Sequence, residues 1–220
     1  MARLDSAQRK HILHAAVAVF AAKGLKGTTI RMVGQQAGVN SALMYYYFEN
    51  KQTLFLEAIR MVLREFLGHL RARHRSFKNA RARIHYLVSA LFDYYLEHSD
   101  RMRLMTIVLS QHPDLFGQVL GIFLKTERLV PLEVLKEGIH QRQLRPVSPM
   151  QTWWNIMGMC LLSLHMHEVI VHIDRRDMPF TVPDMAEREQ SIVDLLVQGL
   201  AAPEQAGIEP KRSKQPARRR

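Results

Sequence analysis

The chain has 220 residues, 31 lysines and arginines against 20 aspartates and glutamates, and 47% hydrophobic residues. That length and apolar share suit one large domain or two small ones with a real core, and they exclude wholesale disorder. The net charge of +11 points to an acidic partner, nucleic acid before an anionic membrane surface, while the lone Cys160 excludes a disulfide scaffold or cysteine-rich metal cluster and fits a reducing, cytoplasmic setting.

The opening residues MARLDSAQRKH are polar, and the apolar segments that begin at Ile12 and run from Trp153 to Leu164 are too short to span a bilayer. The first helix places Ile12, Ala15, Ala16, Val19 and Phe20 on one face, and Gly24, able to take positive φ, ends it. Thr28 or Thr29 then caps a short helix whose inner face is Ile30, Val33 and Ala37. Gly38 makes a tight turn, and Asn40 or Ser41 caps a second short helix with Met44 and Phe48 inward. Two short helices joined by a glycine turn make a helix-turn-helix, and the second projects Ser41, Ala42, Tyr45 and Tyr46 outward. Small and hydroxyl-bearing side chains let such a helix sit deep in a major groove.

Downstream, apolar periodicity predicts helices over about 52–75, 81–98 and 101–111. Pro113 breaks the chain and opens a further helix reaching Gln143, kinked at Pro131. Residues 146–149 form a linker, and two last helices run over 150–173 and 184–201. The reading is all-α, about nine helices with no sheet. Three basic runs stand out, at 1–51, at 60–83 and in the final KRSKQPARRR. We expect the second to be a solvated helix face and residues 203–220 to form a disordered basic tail.

Taken in order, Phe20 to Gly24, Thr28-Thr29-Ile30, Ala37 to Phe48 and Lys51 closely resemble the TetR family of bacterial transcriptional regulators. The resemblance covers about residues 8–60. It implies an N-terminal DNA-binding domain over 6–51, with its motif at 29–48, and a helical effector-binding and dimerisation domain over 52–202. It further implies that Thr29 and Arg31 touch phosphate, that Asn40, Ser41, Ala42 and Tyr46 face bases or the adjoining backbone, and that Tyr45, Tyr47 and Lys51 grip phosphate oxygens. Three positions depart from the family pattern: Gly34 stands where alanine is usual, Asn40 replaces serine or threonine, and Leu43 is larger than its counterparts.

Within the second domain, flexible methionines and aromatics mark a candidate pocket for a small apolar or amphipathic effector: Phe92, Met102, Met105, Trp153, Met157 and Cys160. One helix-turn-helix offers few contacts, so we expect a homodimer on a palindromic double-stranded operator, joined through the last two helices by Met159, Leu162, Ile192, Leu195, Leu196 and Leu200. The sequence SLHMHEVIVH lines up His165, Glu168 and His172, but no second cluster completes a metal site, and we expect neither metal nor cofactor. No phosphate loop, nucleophile elbow or HExxH pattern argues for catalysis. The function expected is a ligand-responsive repressor; the alternative is a DNA-binding adaptor without an effector, acting through protein partners.

Overall fold

A computed structural model describes residues 2–74, 76–170, 173 and 184–202. They form ten α-helices: α1 (Ala2–Gly27), α2 (Ile30–Gln36), α3 (Ser41–Tyr47), α4 (Lys51–Arg73), α5 (Ala80–Glu97), α6 (Ser99–Gln111), α7 (Pro113–Thr126), α8 (Val130–His140), α9 (Pro149–Ile170) and α10 (Met185–Leu200). Among the described residues there is no strand, only an isolated antiparallel bridge between Leu144 and Ala201. The single helix expected from Pro113 to Gln143 is two. Glu127 takes extended geometry (φ −114°, ψ 142°) and ends α7, and Pro131 falls in the first turn of α8, where its missing N–H costs nothing.

The helix ends follow local chemistry. Gly24 leaves helical geometry at φ 66°, ψ 177°. Thr29, Asn40, Asn50 and Asp184 each cap a helix by accepting from the N–H three residues on. Arg71 and Arg73 sit in the last turn of α4, at its electronegative end.

The chain divides into two compact units. The first comprises 1–74 and 93–130, so the boundary expected after residue 51 does not mark a break in packing. The reason is the core. Ile12, Ala16, Phe20, Met44, Phe48, Phe55 and Ile59 share one buried cluster with Leu104, Met105 and Val108 of α6 and Leu115 and Val119 of α7. Phe20 and Phe55 meet edge-to-face at 4.9 Å. A polar link ties the same helices: Arg101 Nε donates to Glu65 at 2.7 Å, and His14 lies 3.6 Å from the other oxygen of that carboxylate.

The second unit lies within 75–92 and 131–220. Its hub is Arg83, which is fully buried. The guanidinium lies over the Phe77 ring and donates to Val134 O, Glu137, Gln141 and Gln143. A buried charge of this kind is tolerable because its donors are met.

Candidate nucleic-acid interface

The site is built from α2, the turn after it and α3. Ala37 N–H reaches Val33 O, Gly38 N–H reaches Gln35 O, and Val39 N–H reaches Gly34 O at 2.9 Å, which closes the end of α2. Gly38 carries the positive φ, 64°, that the turn requires. Gly34 has a role that its low helix propensity obscures. A β-carbon there would stand 3.0 Å from Val39 O and 3.3 Å from Met44 Cγ, so glycine lets α3 and the turn approach α2 closely.

Asn40 Oδ1 accepts from Leu43 N–H at 2.9 Å and starts α3. Met44 and Phe48 are buried and anchor the helix, and Leu43 is half-buried. The opposite face is open: Ser41 and Ala42 are exposed, Tyr45 is 60% exposed and Tyr46 73%. Tyr47 is half-buried, its ring edge-to-face with Tyr46 at 5.0 Å. Thr29 and Arg31 are exposed at the start of α2. Of the nine expected residues, seven are therefore exposed, Asn40 among them, and Tyr47 is half-buried. The ninth, Lys51, is turned inward: Nζ donates to Leu25 O at 2.8 Å and Thr28 O at 3.0 Å.

Two supports gave no signal in the sequence. His11 donates from Nε2 to Ala37 O at 3.0 Å and ties α1 to the end of α2. Arg9 pairs with Glu57 at 3.2 Å and lies over the Phe48 ring. Beside them a cleft of about 690 Å³ lies among α1, α3 and α4, lined by Arg9, Lys10, Leu13, Tyr46, Tyr47 and Met61 among others.

The basic run at 60–83 is largely neutralised within the fold. Arg60 pairs with Glu57, Arg64 and Arg71 with Glu127, Arg73 with Asp93, Arg81 with Asp194, and Arg83 with Glu137. The six expected pocket residues are divided between the two units, Met102 and Met105 in the first and Phe92, Trp153, Met157 and Cys160 in the second. Met105 belongs to the shared core around the helix-turn-helix. Cys160 is buried, which pushes its thiol pKa up to about 12 and leaves it protonated.

Of the six expected interface residues, Ile192, Leu196 and Leu200 are buried within their own chain, so they have no surface to offer a partner. Met159 is half-buried. Leu162 (66%) and Leu195 (60%) are exposed, with Trp154, Met166 and Val169 also open on α9. The Glu168 side chain and His172 lie outside the described residues. Among those described, no group of three His, Cys, Asp or Glu side chains is arranged to hold a metal. Residues 203–220 also lie outside them.

Residues 12–58 match the model of the family described as bacterial regulatory proteins, tetR family. The HTH-type transcriptional repressor KstR2 of Mycobacterium tuberculosis is 29% identical over 149 residues, covering 64% of this chain and 71% of the relative. The HTH-type transcriptional regulator RutR of Escherichia coli is 35% identical over 75 residues, 34% of this chain and 35% of its own. In fold, the chain resembles a transcriptional regulator FadR from Bacillus subtilis, solved in complex with stearoyl-CoA. That match has a TM-score of 0.68 and 19% identity, and covers 86% of this chain and 98% of that one. The ketosteroid transcriptional regulator KstR2 of M. tuberculosis matches with a TM-score of 0.58 and 23% identity, covering 88% and 94%.

Proposed function

We infer that the chain is a TetR-type regulator, a homodimeric, ligand-responsive repressor that reads a palindromic operator through α3; the match of residues 12–58 to the tetR family and the likeness to KstR2 support this reading. The observation that carries this reading is the two-sidedness of α3. Met44 and Phe48 are locked into the core while Ser41, Ala42, Tyr45 and Tyr46 stand free. A helix held so firmly from behind, with small and hydroxylated residues in front, enters a major groove without moving.

In this reading Ser41, Ala42 and Tyr46 meet base edges, and Asn40 adds a base or backbone contact from the cap. Thr29, Arg31, Tyr45 and Tyr47 hold phosphates, which sets register without encoding sequence. Exposed Leu162 and Leu195, with Trp154, Met166 and Val169, supply the apolar face through which α9 and α10 of two copies join. An isologous contact of this kind relates the two reading helices by a twofold axis, as a palindrome demands. No described helix is long and apolar enough to cross a membrane, and we place the protein in the cytoplasm, with its DNA.

The effector class follows from the neighbours. A FadR of similar fold holds stearoyl-CoA, and a KstR2 is named for ketosteroids. Both support an apolar or amphipathic small molecule, bound among the helices that follow α3. Such a ligand lowers operator affinity by favouring a different separation of the two reading helices. Selection of bound duplexes from a random pool tests the reading. An enriched inverted repeat is the expected result, and a pool that stays unenriched overturns it.

A further inference from the structure

Lys51 stands where a phosphate ligand is expected, yet its ammonium is already engaged. The carbonyls of Leu25 and Thr28 that it binds, at 2.8 and 3.0 Å, lie just past Gly24, where the backbone of α1 breaks from helical geometry near its end. Carbonyls at a helix end lack N–H partners further along the chain and need another donor. Thr28, itself buried, closes the same turn by donating its hydroxyl to Gly24 O at 2.7 Å. The next residue, Thr29, caps α2, and Arg31 follows in its first turn.

We propose that Lys51 is a positioning residue for DNA binding: by holding the carbonyls of Leu25 and Thr28 it sets the place of Thr29 and Arg31, and it does not itself ligate phosphate. Two of the three ammonium N–H donors are spent on these partly buried carbonyls, so the charge is held against the protein and a single donor is left over. The same bonds pin the first residue of α4 to the end of α1 and its link to α2, so the helix that carries the domain onward and the edge that meets DNA move as one piece.

The inference rests on the DNA-binding reading, and its test separates the two. Operator binding by the full chain is titrated against salt for the wild type, Lys51→Met and Lys51→Arg, with Arg31→Met as the phosphate-contact control. Amide hydrogen exchange is followed on the same proteins without DNA. Loss of a phosphate contact lowers the slope of log K against log salt by about 0.9 per protomer. Lys51→Met is expected to keep the wild-type slope, to bind roughly tenfold more weakly, and to exchange faster at residues 25–33. Lys51→Arg keeps the charge but replaces a compact donor by a planar fork, so it too exchanges faster and binds more weakly; it decides the matter if the methionine variant does not fold. Lys51→Met with a slope reduced by about 0.9 per protomer and unchanged exchange, or Lys51→Arg with wild-type affinity, overturns the proposal. A wild type whose duplex binding shows no salt dependence refutes the DNA-binding reading itself, and this inference with it.

Discussion

Replacing Gly138 by alanine sets two effects of opposite sign against each other. Gly138 lies inside α8, where alanine is favoured over glycine by about 1 kcal/mol on helix propensity. The new β-carbon, however, would lie 2.6 Å from Arg83 Cδ, 2.8 Å from Leu144 Cδ1 and 2.9 Å from Arg83 Nε. Carbon atoms pack at about 3.5–4.0 Å, so Arg83 has to retreat by roughly 1 Å. It is not free to do so. Nη1 donates to Val134 O at 2.7 Å and Glu137 at 3.1 Å, Nη2 to Gln141 at 3.0 Å, and Nε to Gln143 at 3.2 Å. Losing two of these four bonds costs about 3 kcal/mol at the usual value for charged groups, and overpacking adds about 1 kcal/mol. After the propensity gain, the expected destabilisation is about 3 kcal/mol. Urea unfolding at one fixed protein concentration measures it, since any self-association makes stability depend on concentration. An Arg83→Met background, which removes the pinned fork, should shrink the effect. A Gly138→Ala protein as stable as the wild type, or more so, refutes the claim that Arg83 is immovable.

Asn40→Ala removes the cap of α3, which is expected to cost about 1 kcal/mol in a thermal melt and to weaken operator binding. Asn40→Ser keeps a capping oxygen, so stability returns, and a changed preference at one base in a repeated selection identifies Asn40 as a base reader. Leu162→Glu with Leu195→Glu places carboxylates on the exposed apolar face, and sedimentation should show a monomer; a persistent dimer removes that face from the interface. Burial lowers the pKa of His14, against the opposing pull of Glu65, and lowers that of His69, whose Nε2 is enclosed without a partner. The unfolded chain then binds more protons than the folded one, so their contribution to stability is complete above about pH 6.5 and lost as pH falls through the lowered folded values. His14→Gln with His69→Gln should flatten the stability profile over that range, and an unchanged profile contradicts the assignment.

The helix-turn-helix was legible because its signals are local. Thr29, Gly38 and Asn40 act on backbone groups within three residues of themselves, and Met44 and Phe48 lie on one face whatever the rest of the chain does. The direction of Lys51 was not legible. The same side chain at the same spacing serves a phosphate or a carbonyl, and only the position of the α1–α2 link, 23 to 26 residues away, selects between them. The extent of the first unit was hidden for a similar reason, because α6 and α7 reach the helix-turn-helix core through packing distant in sequence. The end of α7 carries neither glycine nor proline at Glu127, so periodicity ran on through it. In α10, apolar residues occupy more than one face. Composition could not show that Ile192, Leu196 and Leu200 pack inward while Leu195 alone of the four points out.

The central claim is that two copies of α3, related by a twofold axis, lie in grooves on one side of the duplex. Moving the two halves of a selected operator apart by about 5 base pairs, half a helical turn, rotates one half-site to the opposite side, whereas about 10 base pairs restores the facing. Measured by fluorescence anisotropy, the account predicts that the half-turn insertion abolishes the specific part of the binding. Undiminished affinity for the half-turn operator contradicts it.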